Sequence, residues 1–336
     1  MLVDQPARKH ITSQSHLFFF HLYFYEHATY KTAAFHRELF DITEDESIKL
    51  AVIVAFRGSG KSTIMTTSYP LWAVLGKQQK KCVVILSKTQ QQAKTHFANI
   101  KRTLEGNELL KRDLGPFQEE SNEWGASSIV IPRFNARLVA ASSEQSIRGI
   151  RHGAYRPDLV ICDDVEDISS VKHLESRDNN FAWFNGEVLP IGDKNTKFIV
   201  VGNLLHSDSM LMRIKKNLDK YSKGTKYLEI PIIDEKGKIT WPGKYSDIEE
   251  IEYERKRMGD DKSWQREYML KIVADEDQVI MPEWIKYYDE LPDNTDDYVR
   301  TITGIDLAIS QKTNADYTAM VTAHVFGSQG DMKVYV

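Results

Sequence analysis

The chain has 336 residues, of which 41% are hydrophobic and 27% charged, a composition typical of a globular protein with one large domain or two. A net charge of -4 argues against a protein coated with basic residues for nucleic acid, although a local basic track is compatible with it. The two cysteines, Cys82 and Cys162, lie in apolar runs, which indicates buried, reduced thiols in a cytosolic setting rather than a zinc site.

The amino-terminal region is strongly aromatic over residues 16–25, HLFFFHLYFY. This run of about ten residues is too short for a membrane span of roughly twenty, and no small-residue cleavage site follows it. His16, His21 and His27 do not share a helix face at ligand spacing, so we expect no metal there. The segment is predicted to be a packed helix that leads into the next domain.

An apolar strand over residues 50–55 is followed by a glycine-bearing loop and a segment that can be helical. The loop and its flanks read Ala55-Phe56-Arg57-Gly58-Ser59-Gly60-Lys61-Ser62-Thr63. This is the P-loop arrangement, in which backbone N–H groups and a helix N-terminus face the phosphates of ATP. Lys61 is predicted to reach the β- and γ-phosphates and Ser62 to hold Mg²⁺, while Arg57 either touches phosphate or braces the loop. The usual motif begins with Gly, and Ala55 stands in that position.

Further strand-like and helical runs alternate along the chain. Strands are predicted over residues 50–55, 82–87, 128–131, 138–141, 159–162, 198–202 and 226–232, and helices over 89–104, 209–217, 248–258 and 262–270. This alternation favours a mostly parallel sheet with helices on both faces. Ligands of such sheets bind at the carboxyl ends of the strands, which is where the P-loop lies.

An apolar strand ending in acids follows the P-loop by about a hundred residues. The run 157–162 leads into Asp163, Asp164 and Glu166. Asp163 is placed to hold Mg²⁺. A second acid can polarise the attacking water, and either Asp164, by position, or Glu166, by its longer reach, can serve as that base.

Between these two motifs lies an exposed, polar turn that contains Arg148 and Gly149. A guanidinium is suited to the charge that grows on a γ-phosphate. The alternative is a surface arginine that pairs with acidic side chains.

The last forty residues contain a separate pattern of three strands, over residues 300–308, 316–326 and 332–336. The first carries Asp306 and the second begins at Asp316. Two-metal cleavage of a phosphodiester needs several convergent carboxylates. The alternative is a plain hairpin with a solvent-facing aspartate.

The whole pattern resembles the large terminase subunit of tailed bacteriophages, the motor that packages viral DNA, over nearly the full chain. The motifs that carry the resemblance are the P-loop with Arg57, Ser146-Ile147-Arg148-Gly149, Arg156-Pro157-Asp158, Asp163-Asp164 and Val200-Val201-Gly202-Asn203-Leu204-Leu205-His206. The implied fold is an α/β P-loop NTPase of the ASCE or RecA-like kind, with a mostly parallel sheet, flanking helices, a small helical lid and a truncated RNase H-like β-meander at the carboxyl end. The implied regions are an amino-terminal helical segment 1–45, an ATPase core 46–235, a lid 236–273, a linker 274–298 and an incomplete nuclease domain 299–336.

The resemblance also implies roles for single residues. Lys61 and Ser62 match the residues that bind phosphate and Mg²⁺, and Asp163 matches the metal residue. Arg148 matches an arginine finger that acts on a neighbouring subunit, and Gly202-Asn203 matches the segment that senses the γ-phosphate. Phe35-His36 matches the segment that contacts adenine, and Asp306 matches the first metal ligand of the nuclease. The family usually has Glu directly after the metal Asp. Asp164 stands there instead, so the base stays open between Asp164 and Glu166.

The implied cofactors are ATP and Mg²⁺. The implied partners are double-stranded DNA, a portal protein, a small terminase subunit and further copies of the chain in a ring on the procapsid, all in the host cell cytoplasm and without a membrane. Lys77, Lys80 and Lys81 are candidate DNA contacts or equally a solvated charged turn. A helicase-like ATPase and a nucleotide-binding assembly module that needs partners for turnover are the rival functions. Because the given chain ends before the later strands of such a nuclease, we expect it not to cut DNA.

Overall fold

The computed structural model describes residues 4–221, 224–272, 286–292, 297–307, 318–328 and 331–336. The chain divides into two compact units, Met1–Val273 and Ala274–Val336. Each unit has a sheet of its own. Among the described residues, no helix has the length and apolar character that a membrane crossing requires.

The first unit alternates helices and strands, as the sequence pattern predicts. Its helices are α1 Gln5–Gln14, α2 His16–Tyr23, α3 Ala34–Glu44, α4 Tyr69–Leu75, α5 Gln90–Gly106, α6 Glu108–Leu114, α7 Ile168–Lys172, α8 Leu174–Trp183, α9 Leu189–Ile191, α10 Met210–Lys216, α11 Ile248–Met258 and α12 Asp261–Glu267. Its strands are β1 Leu50–Ala55, β2 Cys82–Ser87, β3 Ser128–Ile131, β4 Ala136–Ser142, β5 Leu159–Asp163, β6 Lys197–Gly202 and β7 Thr225–Ile230. Two π-helical turns, Thr63–Ser68 and Phe184–Val188, and three short 3₁₀ turns, Tyr25–His27, Pro132–Phe134 and Leu218–Lys220, complete it.

The seven strands form one sheet in the order β3-β4-β2-β5-β6-β1-β7. Every neighbouring pair is parallel except β3 and β4, which are antiparallel. The sheet and its flanking helices confirm the predicted α/β class. Strand β6 lies between β1 and β5, so the P-loop strand and the acidic strand are separated by a single strand.

The central strands are buried on both faces, which explains their unbroken apolar sequences. In β1, Ala51 and Ile53 face a core that includes the amino-terminal helices. Val52 and Val54 face a second core, built with residues of α8 to α10 and the turn before α9. Alternation along one strand therefore joins two layers of helices to the same sheet.

In the first unit, strand β7 and helix α12 end clearly earlier than the sequence pattern indicates. Strand β7 stops at Ile230, where Pro231 has no N–H for a ladder hydrogen bond. The next amide, Ile232 N–H, donates instead to the carbonyl of Tyr268 at 2.9 Å. Helix α12 ends at Glu267 rather than residue 270, because the chain turns back there and Leu270 has a φ of 55°.

The aromatic amino-terminal segment forms helix α2, which packs as predicted. Ser15 caps it by accepting from the N–H of Phe18. The ring of His16 is fully buried, with Nδ1 2.8 Å from Thr43 Oγ1 and Nε2 2.9 Å from Ser68 Oγ. Burial holds the pKa of His16 well below its usual range, so the ring is neutral at physiological pH.

The two cysteines are buried thiols, as their apolar surroundings predict. Burial raises the pKa of Cys82 to about 12 and also raises the pKa of Cys162. Neither thiol is therefore a nucleophile at neutral pH.

The second unit contains an antiparallel sheet in the order β10-β9-β8, with β8 Tyr298–Asp306, β9 Ala319–Phe326 and β10 Lys333–Tyr335. All three predicted strands form. Asp306 pairs with Ala319 at the end of β8 and is exposed. Asp316, expected at the start of the second strand, lies outside the described residues.

The buried neutral His16 predicts a pH-dependent contribution to stability. The unfolded chain binds a proton at this ring below about pH 6.5 and the folded chain does not, so this contribution is complete above that pH and is lost as the pH falls. In urea unfolding, His16→Asn should be less stable than wild type at pH 8. Below pH 6.5 this difference should shrink by up to about 1.4 kcal/mol per pH unit. A difference that stays constant with pH would contradict the prediction, and the exposed His10→Asn serves as the control.

Candidate nucleotide-binding site

The candidate site lies at the carboxyl ends of three adjacent parallel strands. The P-loop follows β1, Asn203 follows β6, and Asp163 and Asp164 stand at the end of β5. The register pairs Val54 with Gly202 and Asp163 with Val201, which places these side chains at one edge of the sheet. The structure thus brings together residues that lie up to about 140 positions apart in the sequence.

The P-loop has the backbone that its glycines predict. Gly58 and Gly60 have φ values of 76° and 85°, a left-handed region that favours glycine. The N–H of Ser59 donates to the carbonyl of Phe56 at 3.1 Å, which closes the turn. Ala55, the departure from the usual motif, is the last residue of β1 and is buried in extended backbone, where a methyl group is tolerated.

Lys61 is buried, with 8% of its surface exposed. Its ammonium donates to the carbonyl of Ala55 at 2.6 Å and to Asn203 Oδ1 at 2.7 Å. Burial lowers the pKa of Lys61, and the nearby carboxylates of Asp164 and Asp163 act in the opposite direction. The site therefore holds its lysine between a main-chain carbonyl and the side chain that follows β6.

Asp163 is fully buried and is held by hydroxyl groups. Ser62 Oγ lies 3.3 Å from Oδ1, and Thr66 Oγ1 donates to Oδ2 at 2.7 Å. The ring of His96, on α5, approaches Oδ2 at 3.7 Å. Sequence reasoning missed Thr66, although its position four residues after Ser62 on the same helical face is a signal; nothing in the sequence points to His96.

The donor set around Ser62 and Asp163 fits Mg²⁺. A hydroxyl and a carboxylate oxygen lie side by side, and oxygen is the ligand atom that this cation prefers. Among the described residues, no group of three or more His, Cys, Asp or Glu side chains is arranged to hold a metal ion. Mg²⁺ in this site would consequently depend on water and phosphate oxygens as well, which is its usual habit.

The two candidate bases have different environments. Asp164 has a φ of 49°, a conformation that aspartate tolerates, and burial together with the charge of Asp163 raises its pKa to about 6. Glu166 instead accepts from the N–H groups of Met210 at 2.8 Å and Leu211 at 3.4 Å, at the start of α10. The Glu166 carboxylate thus already serves as a helix cap.

A carboxylate from α12 extends the site in a way that the sequence did not reveal. Asn203 Nδ2 donates to Glu267 Oε2 at 2.9 Å, and the N–H of Arg57 donates to the Glu267 carbonyl at 2.8 Å. Glu267 therefore contacts both the P-loop and the residue that holds Lys61. Glu267 lies outside every motif recognised in the sequence, so no sequence pattern indicated that it belongs to the site.

The Phe35-His36 segment contacts the P-loop itself. His36 Nε2 lies 2.8 Å from the carbonyl oxygen of Ser59, and the ring is buried. Phe35 packs edge-on against Phe56 and Trp241, and lines a cavity of about 640 Å³. Ala33, Ile230 and Gly243 also line this cavity, and no residue of the P-loop does.

Other predicted residues are exposed. Arg57 is exposed. Arg148 is 73% exposed and lies 3.4 Å from Glu187, and it lines a separate cavity of about 620 Å³ with Arg151 and Arg156. No residue of the P-loop and neither Asp163 nor Asp164 lines that cavity. Thr63 begins the π-helical turn after the loop and is partly exposed.

Of the three lysines that were candidate DNA contacts, Lys81 donates to the carbonyl of Phe134 at 2.8 Å, and Lys77 is exposed. Asp306 belongs to the second unit.

No family model and no curated protein matches the chain. Solved structures do show similarity to it. The large terminase of the HK97 bacteriophage aligns with a TM-score of 0.52 at 16% identity, over 91% of this chain and 62% of that protein. A mutant ATPase domain of the Thermus phage P74-26 large terminase aligns at 0.48 and 13% identity, over 74% and 98%. A large terminase from a thermophilic bacteriophage, in complex with ADP, aligns at 0.43 and 13%, over 90% and 66%. The similarity to the HK97 protein shows that this chain has the fold of a large terminase, and the chain spans 62% of that protein's length.

Proposed function

We propose that the protein is an ATP-hydrolysing motor subunit that moves double-stranded viral DNA into a procapsid. The observation that carries the proposal is the arrangement at three strand ends, where Lys61 contacts Asn203 and Ser62 contacts Asp163. The fold shared with the HK97 large terminase adds the DNA-packaging context. From the same resemblance we propose its partners, a portal protein and a small terminase subunit. We likewise propose that copies of the chain form a ring on the procapsid in the host cytoplasm.

In this proposal the P-loop from Gly58 to Thr63 binds the phosphates of ATP, and Lys61 exchanges its present partners for phosphate oxygens. Ser62 and Asp163 would hold Mg²⁺, which when bound neutralises charge on the β- and γ-phosphates. Asn203, which accepts from Lys61 at 2.7 Å, is proposed to sense the γ-phosphate. Phe35 and His36 stand beside the position proposed for adenine.

Asp164 is the better candidate for the base. Its raised pKa makes it more basic than an ordinary aspartate, yet it stays ionised at pH 7, which suits proton abstraction from water. Glu166 would first have to leave the N-terminus of α10. Asp164 is accordingly proposed to orient and deprotonate the attacking water.

Arg148 is proposed to act on the site of a neighbouring subunit. Its exposed guanidinium, with one contact to Glu187 at 3.4 Å, is available to a second copy of the chain. For Arg57, whose side chain is exposed, both a contact with phosphate and a bracing role in the loop stay open. Asp306, on a different unit, stays a proposed metal ligand of a nuclease site.

The first functional prediction concerns Lys61→Ala. The substitution removes the buried ammonium that lies among the loop, Asn203 and the acids, so ATP hydrolysis should fall to background while the melting temperature shows a retained fold. The exposed Lys172→Ala should hydrolyse ATP like wild type. Hydrolysis by folded Lys61→Ala at the wild-type rate would contradict the P-loop assignment. Absence of hydrolysis by the wild-type chain, even at concentrations where it self-associates, would favour the assembly-module alternative.

The second prediction separates the two acids. Asp164→Asn should lower kcat by about 10²–10⁴ and leave nucleotide binding intact, whereas Glu166→Gln should mainly lower stability. Because Asp164 must be ionised to act, the wild-type rate should decline as the pH falls below about 6. A large loss of kcat in Glu166→Gln with an unaffected Asp164→Asn would reverse the assignment.

The third prediction tests whether Arg148 acts between subunits. Arg148→Ala should lose roughly 10³–10⁵ in rate in the assembled state, the range known for arginine fingers. Mixtures of Arg148→Ala and Lys61→Ala should regain part of the activity, because each subunit supplies the group that the other lacks. Mixtures that co-assemble without any recovery would point to a role within one subunit.

A further inference from the structure

Two successive carbonyl groups on the outside of the P-loop each accept a hydrogen bond from a distant part of the chain. Lys244 Nζ donates to the Gly58 oxygen at 2.8 Å, and His36 Nε2 lies 2.8 Å from the Ser59 oxygen. His36 Nδ1 accepts from the N–H of Ala33 at 3.1 Å, so the ring proton is on Nε2 and this atom is the donor. Burial lowers the pKa of His36 to about 4, which keeps this single-proton form at neutral pH.

These two contacts orient the peptide groups of the loop. In a trans peptide the C=O and the N–H point in opposite directions. With its oxygen on Lys244, the Gly58–Ser59 peptide turns its N–H toward the Phe56 carbonyl, 3.1 Å away. With the Ser59 oxygen on His36, the following N–H, that of Gly60, is directed to the opposite side of the loop from His36.

Such external support matters because both glycines of the loop have positive φ and no side chain that restricts them. A loop of this kind loses much conformational entropy when it closes on a ligand, unless other groups already hold its bound shape. Lys244 and His36 supply two fixed donors for this purpose, one of them charged.

A single aromatic residue supports both donors. The Trp241 ring meets the His36 ring edge-on at 4.5 Å between centroids, and Lys244 Nζ lies 5.2 Å from the Trp241 centroid. Trp241 is itself anchored through Nε1, which donates to the Lys31 carbonyl at 2.8 Å. Gly243 permits this close packing, since a Cβ there would lie 2.7 Å from the same Lys31 oxygen.

We propose that Lys244 and His36 are positioning residues that hold the P-loop in its phosphate-binding shape before a nucleoside triphosphate arrives. The inference rests on the proposed function in taking that nucleotide as the ligand. It gives His36 a role on the loop that is separate from any contact with adenine. It also makes nucleotide affinity depend on residues 241–245, which lie outside every recognised motif.

The test is Lys244→Met, which keeps an unbranched stem over the rings and removes the charged donor. We expect nucleotide binding, measured with ADP by calorimetry, to weaken about tenfold, in line with the loss of a charge-assisted hydrogen bond. KM for ATP should rise by a similar factor with little change in kcat, because the loop binds ground state and transition state alike. Lys244→Arg keeps a cationic donor and should stay within about threefold of wild type.

The matched control is Lys236→Met. Lys236 is an exposed lysine in the turn that precedes residues 241–245, and this variant should bind ADP like wild type. The melting temperature without nucleotide should be nearly the same in all three variants, because Lys244 is partly exposed. Amide hydrogen exchange in the P-loop provides a second measurement and should be faster in Lys244→Met alone.

Wild-type ADP affinity and wild-type exchange in folded Lys244→Met would overturn the inference while leaving the P-loop assignment intact, provided that Lys61→Ala loses binding. Failure of the wild-type chain to bind ADP, with Lys61→Ala no different, would instead overturn the proposed function and this inference together.

Discussion

The parallel pairing of β1, β6 and β5 is the constraint on which the site depends. Each strand is buried on both faces, so a slip of one residue would move every side chain of that strand to the wrong core. The register therefore sets where Gly202 stands relative to the P-loop and where Asp163 ends its strand. Contacts of under 3 Å between side chains far apart in sequence, such as Lys61 with Asn203, follow from it.

The contacts of Lys61 also link the P-loop to α12. Asn203 accepts from Lys61 through its oxygen and donates to Glu267 through its nitrogen, so one amide joins the lysine to a helix that starts some sixty residues later. A phosphate group that draws Lys61 away removes one partner of this amide. Glu267 would then be the remaining side-chain partner of Asn203, so the amide connects α12 to the group that Lys61 is proposed to release.

The sequence was sufficient to predict the sheet and the parts of the site that lie next to strand ends. A run of β-branched residues before Gly58 or Asp163 is a local signal, and both motifs lie where it predicts. Partners such as Glu267 and Lys244 are set by how distant segments cross, which no local pattern encodes. The choice between Asp164 and Glu166 stayed open for the same reason, since only the position of α10 shows that Glu166 caps its N-terminus.

The charge of the site gives a reason for a bound cation. Asp163 is fully buried and Asp164 is half-buried. Burial and the charge of Asp163 raise the pKa of Asp164, while the buried ammonium of Lys61 acts in the opposite direction. Two adjacent carboxylates in a region of low dielectric destabilise the fold unless positive charge compensates for them. Hydroxyl groups of Ser62 and Thr66 stabilise Asp163 in part, but they bring no charge. In the proposed nucleotide-bound state, a divalent cation that arrives with the nucleotide would relieve this repulsion, and the buried carboxylates would in turn favour its binding.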